Sequence, residues 1–368
     1  MWREPALVVW ALYLLLVPLY VFKSGLPQPG DALVLAVIPM GLVGWNRRLP
    51  TLARGAFRSL LWFTLWVCFV DYTWAFVDGN FGLFGMDTFI LVPVYYIYNS
   101  LIFLVTLVLY RRYGDQFLKV TLYSIMATVA IQCAASLVLP SGTRNTVFFN
   151  NPNQLGYFAL ICGCIIALTH HHVKLRLWIS GLALMGCTYL ALLSASRAAA
   201  GGIAILFALL VFANPKIVIA ASIVAVALFA FGGPVLDAYD STQNRVQNRH
   251  SDATFLEERG YERIRLHKEY LVFGAGEGGL ERFDDPGIVH NMEIHSSAGT
   301  ILFSYGAVGC VFFLLFTWQV IRRARFRASL VLVPPLLYTV AHQGLRFTML
   351  WVMLALFVAL KEPVSKTP

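Results

Sequence analysis

The chain predicts an all-α, polytopic membrane fold of about twelve transmembrane helices, and three observations carry the prediction. Hydrophobic residues fill 58% of its 368 positions and charged residues only 13%, about half the charged share of a soluble domain. Mean hydropathy is +0.69. The apolar residues come in blocks of about 17–25, the length that crosses ~30 Å of hydrocarbon. The same figures exclude a soluble enzyme, a disordered tail and a fibrous protein.

In chain order the blocks predict helices over 5–22, 31–45, 57–77, 87–109, 117–139, 153–170, 175–193, 197–213, 216–232, 297–320, 328–343 and 346–361. The first resembles a signal peptide in length. It has no clear small-x-small cleavage site and a second apolar block follows closely, so it reads as a retained helix. The sixth opens at Phe149-Asn150-Asn151-Pro152-Asn153-Gln154, a turn and N-cap signal. The eighth and ninth are short, which leaves open that one of them is half-buried. The tenth opens at His295. Three regions follow: 1–232 with helices one to nine, a loop over 233–296, and 297–368 with the last three helices and a tail, all within one integral membrane domain.

Charge orients the helices. Arg47, Arg48, Arg54 and Arg58, then Arg111, Arg112 and Lys119, Lys174 and Arg176, Lys216, and Arg322, Arg323, Arg325 and Arg327 fall in alternate loops. With Arg3, Lys361 and Lys366 they make seventeen of the twenty-eight basic residues. The opposite short loops hold only Lys23, Arg144, Arg197 and Arg346. The positive-inside rule then puts both termini in the cytoplasm and the long loop outside. That loop has twelve acidic and seven basic residues between Gly233 and Ser296, net −5 within a chain of +9. The positive charge is therefore a topology signal, not a nucleic-acid surface. The six cysteines all lie in apolar blocks without metal-site spacing, so neither a disulfide framework nor a metal site is expected.

Polar groups on the outer side are the functional candidates. Arg197 begins a span of small residues, Ser194 to Gly202, which lets helices approach closely. It is expected to point into the bundle, where a charge is a functional candidate by default; the bland alternative is an arginine snorkelling to headgroups. The stretch Ser251–Phe273 reads as an amphipathic surface helix, with capping-box spacing between Thr254 and Glu257 and a stop at Gly274. On it Arg259 and Arg263 stand four apart, fit to clamp an anionic group or simply to pair with Glu258, Glu262 and Glu269. Phe273-Gly274-Ala275-Gly276-Glu277-Gly278-Gly279 contains a formal GxGxxG but no βαβ context, so it reads as a tight, flexible turn. His290 and His295 are five apart and do not fit HExxH. Gly299, Leu302, Gly306 and Gly309 fall on one helical face with His295. That face would hold it as a positioned general base, against the commoner role of an interfacial structural histidine. His170 to His172 read as solvated, and Asp71, near the outer end of the third span, is expensive unless paired.

Taken together these residues resemble a family. His295-Ser296, nine residues, then Gly306-Ala307-Val308-Gly309 is similar to the H-[NSQ]-x9-G-x-x-[GTY] motif of the O-antigen ligase and polymerase superfamily. Asn-Pro-Asn-Gln-Leu-Gly at 151–156, Ser-Arg-Ala at 196–198 and Phe-Gly-Ala-Gly before the histidine occur in that family's order, so the resemblance spans nearly the whole chain. It implies a GT-C-like helical fold in the bacterial inner membrane. It further implies metal-independent, cofactor-free, inverting glycosyl transfer on the periplasmic face, from a glycan carried on undecaprenyl diphosphate. By resemblance His295 deprotonates the acceptor, while Arg197 and Arg263 face the diphosphate; Arg259 and Arg265 compete with Arg263 for that role. Asn150, Asn153, Glu277 and Arg346 are the further substrate-binding candidates. The loop departs from the commoner R-x-x-x-W pattern by lacking tryptophan. Gly260-Tyr261-Glu262-Arg263-Ile264 with Glu-Ile-His-Ser looks closer to polysaccharide polymerases of the Wzy type, whose acceptor is a second lipid-linked repeat unit and whose partners include a chain-length regulator and a flippase. The alternatives are a ligase acting on lipid A core and, from another class, a polysaccharide transporter without chemistry, for which no internal repeat is visible.

Overall fold

The computed structural model describes residues 4–23, 26–43, 48–82, 89–139, 144–213, 219, 240, 243, 256–283 and 294–362. Thr254, His290 and all of the expected ninth span but Ile219 lie outside them. Among the described residues every regular element is helical. The α-helices are α1 (Pro5–Leu16), α2 (Pro29–Leu42), α3 (Thr51–Asp78), α4 (Leu91–Tyr113), α5 (Asp115–Val138), α6 (Pro152–Val173), α7 (Leu177–Leu193), α8 (Arg197–Ala213), α9 (Glu262–Leu266), α10 (Ser297–Ile321), α11 (Phe326–Ser329), α12 (Val333–Ala341) and α13 (Thr348–Lys361). Five of them, α3, α4, α5, α6 and α10, are long and apolar enough to cross a membrane.

Local chemistry sets the helix ends. A proline in the first turn starts α1, α2, α6 and α12, where its missing N–H costs nothing. Before α2, the Gln28 and Asp31 side chains close a capping box, with Asp31 Oδ2 accepting from Gln28 N at 2.6 Å. The first helix stops at Leu16 rather than 22, because Pro18 has no N–H to continue the hydrogen-bond ladder. The third begins at Thr51, directly after Pro50, six residues earlier than the apolar block alone indicates. The expected span over 328–343 is interrupted by a 3-10 turn at Leu330–Leu332 before α12.

The centre of the bundle is α6 and α13. Every residue from Leu155 to Ile166 and from Met349 to Ala359 is buried, the mark of a helix enclosed on all sides. At the basic end, Lys361 Nζ donates to the carbonyls of Val320 and Arg322. The neighbouring Glu362 carboxylate accepts from the first amides of α3, Leu52 N at 3.2 Å and Ala53 N at 3.4 Å. One pair of adjacent residues thus caps two helices of opposite polarity.

Two expectations about the segment before α10 and about α10 itself fail. Ser251–Phe273 is not one amphipathic helix in its described part. A 3-10 turn at Glu257–Arg259 ends at Gly260 in the left-handed region, followed by the five-residue α9 and a second 3-10 turn at Lys268–Leu271. Gly260 at φ 72° cannot continue a helix, so its apolar positions never share one face.

The second concerns α10, which is broken at Gly306 with φ 63° and ψ −170°, a region only glycine enters readily. The expected glycine face from His295 to Gly309 is therefore not continuous. Breaking a helix frees carbonyls that normally accept from residues four ahead, and here each finds a substitute. Ala275 N donates to Phe303 O and Gly276 N to Ser304 O, both at 2.9 Å, and Trp66 Nε1 donates to Tyr305 O at 2.8 Å. In return Val308 N donates to Val272 O at 3.4 Å. The glycine-rich segment after Phe273, expected as a tight, flexible turn, is thus docked into the break. A Cβ on Gly274 would overlap the Ser304 backbone, and one on Gly306 the Val272 backbone.

Arg282 locks this segment. Its guanidinium donates to the carbonyls of Ala275 at 2.6 Å and Gly278 and Gly279 at 3.1 Å, and pairs with Asp78 Oδ2 at 3.2 Å. It lies against the rings of Trp74, Phe89 and Phe283. Gly306→Ala is expected to cost about 3 kcal/mol or more, strain plus overlap. Gly79→Ala, in a left-handed cap with nothing near its Cβ, should cost only about 1 kcal/mol. Thermal unfolding of the two variants in detergent checks the difference; equal losses would mean the break is not filled as described.

Candidate functional site

His295 lies just before the N-cap of α10. The Ser296 hydroxyl caps that helix by accepting from Gly299 N at 3.3 Å and is itself within 2.8 Å of Tyr261 Oη. The His295 amide donates to Arg259 O at 3.0 Å, which ties the histidine to the 3-10 turn at 257–259. From the other side comes the turn between α12 and α13. Ser297 Oγ accepts from Gly344 N at 2.9 Å and Leu345 N at 3.3 Å, so this turn is fixed against the start of α10.

That turn carries His342, one residue past the end of α12. Arg259 Nη1 lies 3.5 Å from His342 Nδ1, and the imidazole stacks on Tyr338, which stacks in turn on Tyr157 at 4.1 Å between centroids. Burial lowers the His342 pKa to about 3, with further contributions from the positive charges of Arg259, His295 and Arg144. The imidazole is therefore neutral at pH 7. Arg144 reaches the cluster from the segment before α6; its Nη2 donates to Asn153 Oδ1 at 2.9 Å and its Nε to Ser194 O at 3.5 Å. Tyr338 Oη donates to Asn153 O at 2.9 Å, closing the ring of contacts. Two histidines and two arginines are thus gathered at one end of the bundle. Such a set can neutralise an anion and hold a base beside it.

A second polar cluster lies deeper, beside the docked glycine-rich segment. Glu277 and Arg346 form an ion pair, and the same carboxylate accepts from Tyr305 Oη at 2.6 Å and Tyr96 Oη at 2.9 Å. Asp71 Oδ1 accepts from Glu277 N at 2.7 Å. The turn that holds His342 and Arg346 four residues apart links the two clusters.

The sequence candidates divide accordingly. His295, Arg259 and Asn153 come together in the outer cluster, and Glu277 and Arg346 in the inner one. Arg197 is exposed at the start of α8. The close packing there belongs to its neighbours, since Gly156 faces Ser194, Ser196 and Ala199. Arg263 is only 1% exposed; its guanidinium lies 5.7 Å from the ring of Phe283, which belongs to a small core that the loop residues Ala275, Phe283 and Ile294 form with Phe303 of α10. Arg265 is exposed. Asn150 donates from Nδ2 to Phe22 O at 2.6 Å, a tie to the segment after α1. His170 is buried rather than solvated, its Nδ1 3.0 Å from Ala167 O. Arg144 and His342 stand out in sequence only as polar groups at the cation-poor end, and neither is among the predicted site residues. Among the described residues no three His, Cys, Asp or Glu side chains are grouped to hold a metal ion.

Compared with models of known protein families and with curated sequences, the chain matches none.

The His342 shift has a sign. A histidine with a lowered native pKa favours the fold above its unfolded value near 6.5 and withdraws that stability as pH falls toward 3. Acidification from pH 7 to 5 is expected to remove on the order of 2 kcal/mol from the wild type through this group. Thermal unfolding of a His342→Gln variant across the same range should show a correspondingly flatter dependence; identical slopes would place the imidazole in water.

Proposed function

We propose that this chain is a membrane-embedded, inverting glycosyltransferase that joins a glycan held on a lipid diphosphate to the hydroxyl of a second lipid-linked repeat unit, as a polysaccharide polymerase does. The observation that carries the reading is the gathering of His295, Arg259, His342 and Arg144 at one end of the bundle. That end is opposite the basic one, since α10 runs from Ser297 to Ile321, immediately before Arg322. By the charge rule the basic end is cytoplasmic, so the cluster faces the periplasm of a bacterial inner membrane in a GT-C-like bundle of about twelve spans.

In the proposed reaction the acceptor hydroxyl oxygen attacks the anomeric carbon as the bond from that carbon to the diphosphate oxygen breaks. The hydroxyl proton passes to His295 and the bonding electron pair leaves with the diphosphate. Arg259 and Arg144 meet the growing negative charge. His342, neutral at pH 7, takes up no proton in this step and keeps the Arg259 guanidinium in place. Arg259 and Arg144 carry the diphosphate role here because they share the cluster with His295, whereas Arg263 is packed into the loop core and Arg197 is exposed. A transporter could claim the broken α10, since broken helices line transport sites. The freed carbonyls of that break are taken by Ala275, Gly276 and Trp66, which favours a docked loop over a pathway.

The test is the glycan profile of a host lacking the protein, complemented with wild type or variants. His295→Ala should lower chain extension by about 10²–10⁴-fold, and Arg259→Ala by about 10²-fold or more, with membrane levels of the protein unchanged. Core bearing single repeat units would identify a polymerase; bare core with lipid-linked polymer accumulating would identify a ligase. A full profile restored by His295→Ala would refute the catalytic role of that histidine.

A further inference from the structure

Asp71 and Glu277 place two carboxyl groups in one buried cluster. Asp71 is fully buried on α3, and the Glu277 side chain is 4% exposed. The groups facing Asp71 are Cys68 and Tyr72 on its own helix, Glu277 of the docked segment, Tyr305 of α10 and Arg346 of the turn after α12; Tyr96 of α4 joins through Glu277. Among these described groups Arg346 is the cation, and its guanidinium is on Glu277.

The hydrogens can be counted. Tyr96 and Tyr305 each own one phenolic hydrogen. Tyr96 gives its hydrogen to Glu277 Oε1 at 2.9 Å, and Tyr305 lies closest to the same oxygen at 2.6 Å. Asp71 Oδ2 is also 3.3 Å from Tyr305 Oη. With the Tyr305 hydrogen spent on Glu277, that last contact lacks a hydrogen unless Asp71 supplies it. Asp71 Oδ1 already accepts from Glu277 N at 2.7 Å. A second carboxylate here would be a buried anion facing another, which is costly without its own cation.

We propose that the Asp71–Glu277 pair holds a single proton, carried on Asp71 Oδ2. Asp71 is then a neutral acid that accepts the Glu277 amide on one oxygen and donates to Tyr305 from the other. Tyr305 passes its own hydrogen to Glu277, which remains the anion for Arg346. Asp71 acts as a positioning residue: through this chain it fixes Glu277, hence Arg346 and the turn holding His342. The proton count is a property of the folded chain and holds whatever reaction the outer cluster performs.

Asparagine reproduces the neutral acid, with Oδ1 accepting and Nδ2 donating where the acid proton lies. The test is infrared spectroscopy of the full chain in lipid, with thermal unfolding, on wild type, Asp71→Asn and Asp71→Ala. The expected result is a protonated-carboxyl carbonyl band in the wild type near neutral pH that is missing from Asp71→Asn. The Asn variant should melt within about 3 °C of the wild type and Ala at least about 5 °C lower. A wild type without the band, a band that survives in Asp71→Asn, or an Asn variant that unfolds as readily as Ala or fails to fold, would each overturn the proposal.

Discussion

Everything at the outer half of this bundle depends on one constraint: a helix interrupted among apolar helices must have its freed backbone groups satisfied by protein. Gly306 interrupts α10, and the chain answers with its own backbone, laying Val272 to Gly276 into the gap. That single docking brings Glu277 to Asp71 and Tyr305. It also anchors the loop whose earlier turn carries Arg259 to His295. The glycines are required for closeness as much as for conformation, since Gly274 and Gly306 meet backbone to backbone. Arg282 then closes the segment from the outside, with its hydrogen bonds spent on carbonyls and its faces on aromatic rings. It serves as an internal fastener.

The two polar clusters have opposite characters and a shared support. The outer one gathers guanidinium and imidazole groups around Asn153 and Tyr338. The inner one opposes two carboxyl groups to one guanidinium. Residues 342–346 belong to both, and Ser297 fixes that turn by accepting from two of its amides. A displacement of the loop would therefore be felt at His342 as well as at Arg346. The described residues form an all-helical bundle with five helices long and apolar enough to cross a membrane, and the two clusters share one end of it.

Apolar block length and charge made most of the helices legible, because the requirement to bury about twenty apolar residues per span is written into local composition. α4, α5, α6 and α7 fall close to their expected ranges for that reason. What stayed illegible was non-local. The break at Gly306 follows from a partner segment thirty residues earlier, so a period-3.6 count along α10 saw only a smooth glycine face. The amphipathic reading of 251–273 counted apolar spacing and overlooked that Gly260 would leave the helical region. His295 stands out in the sequence because a histidine at a helix start is locally conspicuous. Arg144 and His342 share a sequence signal, their place at the cation-poor end, but only the tertiary contacts with Asn153 and Tyr338 bring them together, while Arg197 looked conspicuous and is exposed.

The burial of α13 bears on how the molecule is assembled. Its eleven consecutive enclosed residues, Met349–Ala359, pack chiefly beside α4 and α6, which emerge from the ribosome far earlier. Until α13 arrives, those helices face lipid or one another with a central seat unfilled, and Lys361 and Glu362 have not yet joined α10 to α3. Contacts of such long sequence separation form slowly. The early helices therefore wait as a loosely associated set, and completion of the core is deferred until α13 has followed them.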